Sequence, residues 1–224
     1  MVLRSSAARG AAALFALVLS SCAGAPAAQS PKAAGAGTVA SPAETVAAAQ
    51  ARVAAKPDDA DAWFRLGLAW QGAGGGLEAA DSARAAYDKA IELAPGRADA
   101  LVNRGLALEE LNRHAEAEAS YRGATEAAPD DAVPWVNLGA LLYFHYKKTY
   151  DAKTALVKAL ELDPKNADAH FNLGVLFADA NLFGEARVEW EKVLQLAPDS
   201  PAGGLARENL ERIQPLLSPP PAAP

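Results

Sequence analysis

Five prolines frame this chain: Pro57, Pro95, Pro129, Pro164 and Pro198 follow one another at intervals of 38, 34, 35 and 34 residues. A near-constant period of this length marks a chain assembled from copies of one supersecondary unit, none of which can bury its apolar face alone. Each proline disfavours helix in the residue before it, so each closes a helix. Asp58, Asp130, Asn166 and Asp199 follow within two residues and are the side chains expected to cap the next helix. Between successive prolines stands one glycine at a constant place, Gly67, Gly105, Gly139 or Gly174. A glycine inside a helix costs about 1 kcal/mol relative to alanine, so it needs a compensating close approach, for which Ala83, Ala117, Ala152 and Ala186 are the expected small partners. Trp63, Trp70, Trp135 and Trp190 are expected to fill the wider gaps between hairpins, as core rather than as a cofactor pocket.

Aligned on these prolines, four units emerge, residues 60–97, 98–131, 132–166 and 167–200. The first carries Trp63, Leu66, Gly67, Trp70, Ala83, Tyr87, Ala90 and Pro95, with extra residues in a GAGGG stretch. The second has Leu101, Gly105, Leu108, Ala117, Tyr121, Ala124 and Pro129; the third has Trp135, Leu138, Gly139, Leu142, Ala152, Leu156, Ala159 and Pro164. The fourth has His170, Leu173, Gly174, Phe177, Ala186, Trp190, Val193 and Pro198. This series resembles the tetratricopeptide repeat, with its W, L, G, Y, A, F, A and P at fixed offsets. The resemblance implies an all-α fold, a right-handed α-solenoid of helical hairpins. Capping helices are expected at 42–59 and 201–214, followed by a disordered tail at 215–224. Arg104 departs from the pattern; the expectation is that it lays its stem over the core and exposes its guanidinium.

The chain opens MVLRSSAARGAAALFALVLSSCAGA, with Arg4 and Arg9 ahead of an apolar run at residues 11–19. That reads as a secretory signal peptide, residues 1–21, because the run is about half of the ~20 residues that span a bilayer. Cys22 is the single cysteine, so the fold has no intramolecular disulfide. Leu19-Ser20-Ser21-Cys22 resembles a bacterial lipobox, in which the thiol is acylated, as with palmitate, and the chain is cut before it. Cleavage after Ala25 by an ordinary signal peptidase is the alternative. By that resemblance, Ala23 after the cysteine implies an outer-membrane lipoprotein facing the periplasm, with inner-membrane or soluble periplasmic placement as alternatives. Residues 22–41, rich in alanine, glycine, proline and serine, form the expected tether. Removing residues 1–21 takes two of the 21 basic side chains and none of the 27 acidic ones, so the formal charge moves from −6 to −8. That balance argues against a nucleic-acid partner.

Motifs that carry chemistry are missing. The three histidines, His114, His145 and His170, lack metal-ligand spacing, and no second cysteine joins them. GAGGGLE has Leu77 where a dinucleotide loop needs its third glycine, and no G-K-[ST] follows. The expectation is therefore a protein that is not an enzyme and takes no cofactor, metal or small-molecule substrate.

In the repeat family the first helix of each hairpin lines a concave groove. The resemblance places Phe64, Leu68, Val102, Leu106, Val136, Ala140, Tyr143, Phe171 and Val175 there as an apolar strip. Asn103, Asn137 and Asn172 lie beside it as amides able to grip an extended peptide backbone. Packing against neighbouring hairpins is the competing role for the strip. The implied function is a lipid-anchored scaffold that binds a protein or peptide partner in the bacterial cell envelope and assembles or stabilises a complex there. An adaptor for peptidoglycan enzymes and a non-catalytic subunit of an envelope enzyme complex are the alternatives.

Overall fold

The computed structural model describes residues 45–217. The signal peptide, Cys22, the whole of the tether and residues 218–224 of the tail lie outside the described residues. Ten α-helices and no strand occur among the described residues. They are α1 (Val46–Ala55), α2 (Ala60–Ala73), α3 (Gly76–Leu93), α4 (Ala98–Glu110), α5 (His114–Ala127), α6 (Ala132–Phe144), α7 (Thr149–Leu162), α8 (Ala167–Asp179), α9 (Phe183–Leu196) and α10 (Pro201–Leu217). The chain divides after Pro164 into two compact units, α1–α7 and α8–α10.

The prolines end helices as the period predicts. Ala94, Ala128 and Ala197 each leave helical geometry, and each donates a last backbone bond, to Ala90, Ala124 and Val193. The next three residues form a tight turn: Asp59 N–H reaches Lys56 C=O at 3.2 Å, and Asp131 N–H reaches Ala128 C=O at 3.1 Å. Proline occupies the second place of that turn, as its fixed φ favours, which puts Asp58 and Asp130 in the third. Those two residues therefore do not cap. Asp59 accepts from Asp61 N–H and Asp131 from Val133 N–H, both at 2.9 Å. Asn166 does cap α8, accepting from Ala169 N–H at 2.9 Å. Before α10, Ser200 rather than Asp199 takes the cap, accepting from Gly203 N–H at 3.0 Å.

Within each hairpin the recurring glycine faces a bulky side chain of the second helix, and only at Gly139 does the expected alanine also come close, through the Ala152 carbonyl at 3.2 Å. A Cβ on Gly67 would overlap the Tyr87 ring, one on Gly105 the Tyr121 ring, and one on Gly174 the Trp190 indole. Gly139 faces Leu156, which would lie 2.8 Å from such a carbon. The glycine is thus a notch into which the large side chain of the second helix seats. Trp190 accordingly sits inside its own hairpin, 1% exposed, with Nε1 donating to Phe171 C=O at 3.2 Å. Ala83, Ala117, Ala152 and Ala186 are fully buried and let the helices approach. Trp63 and Trp70 pack on the cluster of Ala49, Leu66, Ala69 and Ala86, which joins α1 to α2 and α3.

Arg104 does not expose its guanidinium to solvent alone. Its Nε donates to Asp88 of α3 at 2.5 Å and another nitrogen donates to Ser120 Oγ of α5 at 2.7 Å. Asp88 also takes Arg84, so Arg104 ties three helices of the first unit through one chain of charge-assisted bonds. At the chain's end, α10 continues through Pro215 to Leu217, beyond the expected stop at residue 214.

Candidate functional site

The residues expected to line a groove all lie on first helices of hairpins. In the first unit, Phe64 and Leu68 are on α2, Val102, Asn103 and Leu106 on α4, and Val136, Asn137, Ala140 and Tyr143 on α6. In the second unit, Phe171, Asn172 and Val175 are on α8. Their accessibility divides them. Leu68 is 42% exposed, and Phe64, Asn103, Leu106, Ala140 and Asn172 are half-buried. Val102, Val136, Asn137, Tyr143, Phe171 and Val175 are buried.

The amides are partly committed to their own helices. Asn103 Nδ2 donates to Asp99 C=O at 2.7 Å and Asn137 Nδ2 to Val133 C=O at 2.9 Å, each one turn back. Such back-bonding fixes the side chain and leaves Oδ1 as the acceptor of the amide.

A feature absent from the sequence reading dominates the start of the strip. Arg97, in the loop before α4, stacks its guanidinium over the Phe64 ring, 4.2 Å from its centre, and pairs with Asp61 and with Asp99, the latter at 2.9 Å. Hydrogen bonding and charge from Arg97 hold the Asp61 carboxyl below its ordinary range. Burial lowers the basicity of Arg97, but the two aspartates outweigh it and raise it. The Phe64 ring also tilts against Tyr87 at 5.8 Å. Asp61, Arg97 and Asp99 with the Pro95 turn line a shallow, open depression beside it. Nothing short-range in the sequence joins Asp61 to Arg97, because they are neighbours only through hairpin stacking.

Two of the histidines meet. The His114 and His145 rings stack at 3.7 Å, and His145 Nε2 lies 3.5 Å from Glu109, which also accepts from Tyr121 OH at 2.5 Å. Burial raises the Glu109 carboxyl despite that bond, and burial raises the Tyr121 phenol well above its usual range. Burial, then the charge of His114 and Lys147, lowers His145. In the second unit, buried His170 lies 2.6 Å from Glu189, which also takes Lys192 at 3.0 Å. Among the described residues no group of three or more His, Cys, Asp or Glu side chains is placed to hold a metal ion. No described helix is long and apolar enough to cross a membrane.

Stacked two-helix hairpins, each closed by a glycine notch, define an all-α helical-repeat protein. Residues 75–132 and 149–201 match the family model of the tetratricopeptide repeat, and the repeats of this chain are tetratricopeptide repeats. Solved structures agree on the fold. MamA superposes with a TM-score of 0.59 at 20% identity, covering 67% of this chain and 85% of that one. The structure of YrrB, described as a TPR protein with an unusual peptide-binding site, gives 0.56 at 21% identity, covering 77% and 89%. Protein O-mannosyl-transferase TMTC3 of Homo sapiens is 30% identical over 155 residues, 64% of this chain. That stretch is 17% of the transferase, so the chain spans only a small part of the curated relative's length.

Proposed function

We propose that this chain is a lipid-anchored scaffold of the bacterial cell envelope, held through Cys22 at the outer membrane, that binds an extended segment of a partner protein without catalysing a reaction. The observation that carries it is the accessible face of α2 and α4, where Leu68, Phe64 and Leu106 offer apolar surface beside the Asn103 amide. An extended peptide brings both side chains and unpaired N–H groups, and this face has a complement for each. The peptide-binding site named for YrrB supports the same use of the repeat. The likeness to TMTC3 touches a small share of that protein, so it gives no ground for assigning its transfer chemistry here.

The test places a photo-cross-linking residue at Leu68 or Leu106 in cells, with Glu92 on α3 as the control. A discrete adduct from both positions, with the Leu106 adduct lost on Leu68→Asp while the thermal unfolding midpoint stays within a degree or two (roughly 0.5 kcal/mol for a surface change), supports the reading. Equal adducts from Glu92 overturn it. Phe171→Ala separates core from surface: as a buried ring its truncation costs about 3–5 kcal/mol, whereas a groove-facing ring would leave stability nearly unchanged.

A further inference from the structure

The turns inside the hairpins of repeats two, three and four share one backbone device with one odd residue. Asn112, Lys147 and Asn181 occupy the same place and all adopt left-handed geometry, at φ 58°, 53° and 61°. In that region any Cβ meets the following carbonyl, a cost that asparagine offsets by hydrogen bonding its short amide locally and lysine does not. In the first repeat Gly74, Gly75 and Gly76 meet the same demand. A lysine held where asparagine or glycine costs less points to use of its side chain.

That side chain stands in a basic and aromatic turn. Lys147 lies 5.1 Å from the centre of the Tyr143 ring and Lys148 4.8 Å from that of Tyr146. Both lysines are exposed, and Tyr150 just beyond them is 82% exposed. Glu118 approaches Lys148 at 3.9 Å and Asp151 opens α7, while Glu110 and Glu78 share this end of the unit, so the positive character is local to the turn. The N-terminus of α7 adds its own positive pole.

Position within the unit supplies the partner. Short connections make α1–α7 alternate in direction, so the starts of α1, α3, α5 and α7 share one end, and the meeting of Glu109, His114 and His145 shows this for α5 and the turn before α7. Thr45, the N-cap of α1 and the first described residue after the tether in sequence, is therefore at the end that carries Lys147. The opposite end carries the capping and turn acids Asp58, Asp59, Asp130 and Asp131 together with Lys56 and Arg97, a balance that stays acidic. An anionic surface would repel that end.

We infer that the turn from Tyr146 to Tyr150 is a docking point for anionic phospholipid headgroups, which sets the end of the domain that faces the bilayer. Lysines draw the turn to the charged surface, and tyrosine sits well where an apolar ring meets polar headgroups. The inference rests on the anchor proposed above, since one such turn adds to an anchor and does not replace it.

The test uses the exported Cys22→Ala chain, which lacks acyl groups, on vesicles of phosphatidylcholine alone or mixed with phosphatidylglycerol. The chain is expected to sediment with the anionic vesicles only, and to be released by salt. Lys147→Asn with Lys148→Gln should weaken that partition by about thirty-fold, roughly five-fold for each lysine. Lys147→Asn relieves the backbone, so its melting temperature should hold or rise while binding falls. Equal sedimentation with both vesicle types, an unchanged double variant, or capture by polyglutamate and not by vesicles overturns the inference. A wild-type chain without acyl groups that still binds anionic vesicles overturns the anchor and leaves the turn's role standing.

Discussion

At the scale of single residues, the four glycines were legible as sites of close approach, but their partners were not. Periodicity shows that Gly105 recurs at a fixed place; it does not show which side chain of α5 lies opposite, because that depends on the register between two helices. The structure seats Tyr121 there. Gly105→Ala should thus lower stability by about 1–3 kcal/mol through overpacking, read as a shifted urea midpoint. Gly123→Ala is the control, for its new carbon would meet Leu101 at an ordinary 3.7 Å. It should raise stability by up to about 1 kcal/mol from helix propensity. A second residue-scale outcome concerns acid. Burial pushes the Glu189 carboxyl up, but hydrogen bonds from His170 and Lys192 prevail and lower it. Its folded-state pKa is then below the unfolded value of about 4.5. Linkage gives stability that is full above that value and is lost as pH falls through the folded one. Glu189→Gln should be less stable than the parent at neutral pH and lose less of that stability on acidification, measured by thermal unfolding between the two conditions.

At the scale of elements, helix ends followed from the prolines, whereas the caps stood one residue later than the doublets suggested. Asp58-Asp59 and Asp130-Asp131 each offer two candidate caps in sequence. Only the turn that spans Ala128 to Asp131 decides between them, since it uses up Asp130 and leaves Asp131 extended at φ −93° and ψ 124°. Asp131→Ala should cost about 1 kcal/mol, while Asp130→Ala should change the unfolding midpoint little. The candidate strip shows the same limit. Its residues do lie on the first helices, yet the sequence period cannot separate an exposed Leu68 from a buried Val136, since both satisfy one helical pattern. Nor does any local signal bring Arg97 onto Phe64.

For the whole molecule, the proposed attachment to a membrane rests on one thiol, Cys22, with the basic turn as a small addition. A single acyl chain gives marginal, reversible binding, and two or more give a stable anchor. Cys22 is the only cysteine, so its replacement removes every thiol on which such chains could be built. The turn from Tyr146 to Tyr150 binds by charge, and charge is screened within about 3 Å at 1 M salt, while an acyl anchor is indifferent to salt. The two contributions therefore separate in one experiment. Wild-type chain should stay with sedimented membranes through a high-salt wash and take up labelled fatty acid. Cys22→Ala should take up none, remain partly with membranes at low salt, and leave them entirely in the wash. Retention of Cys22→Ala through the wash, together with unlabelled wild type, would show that the chain is held by something other than its cysteine.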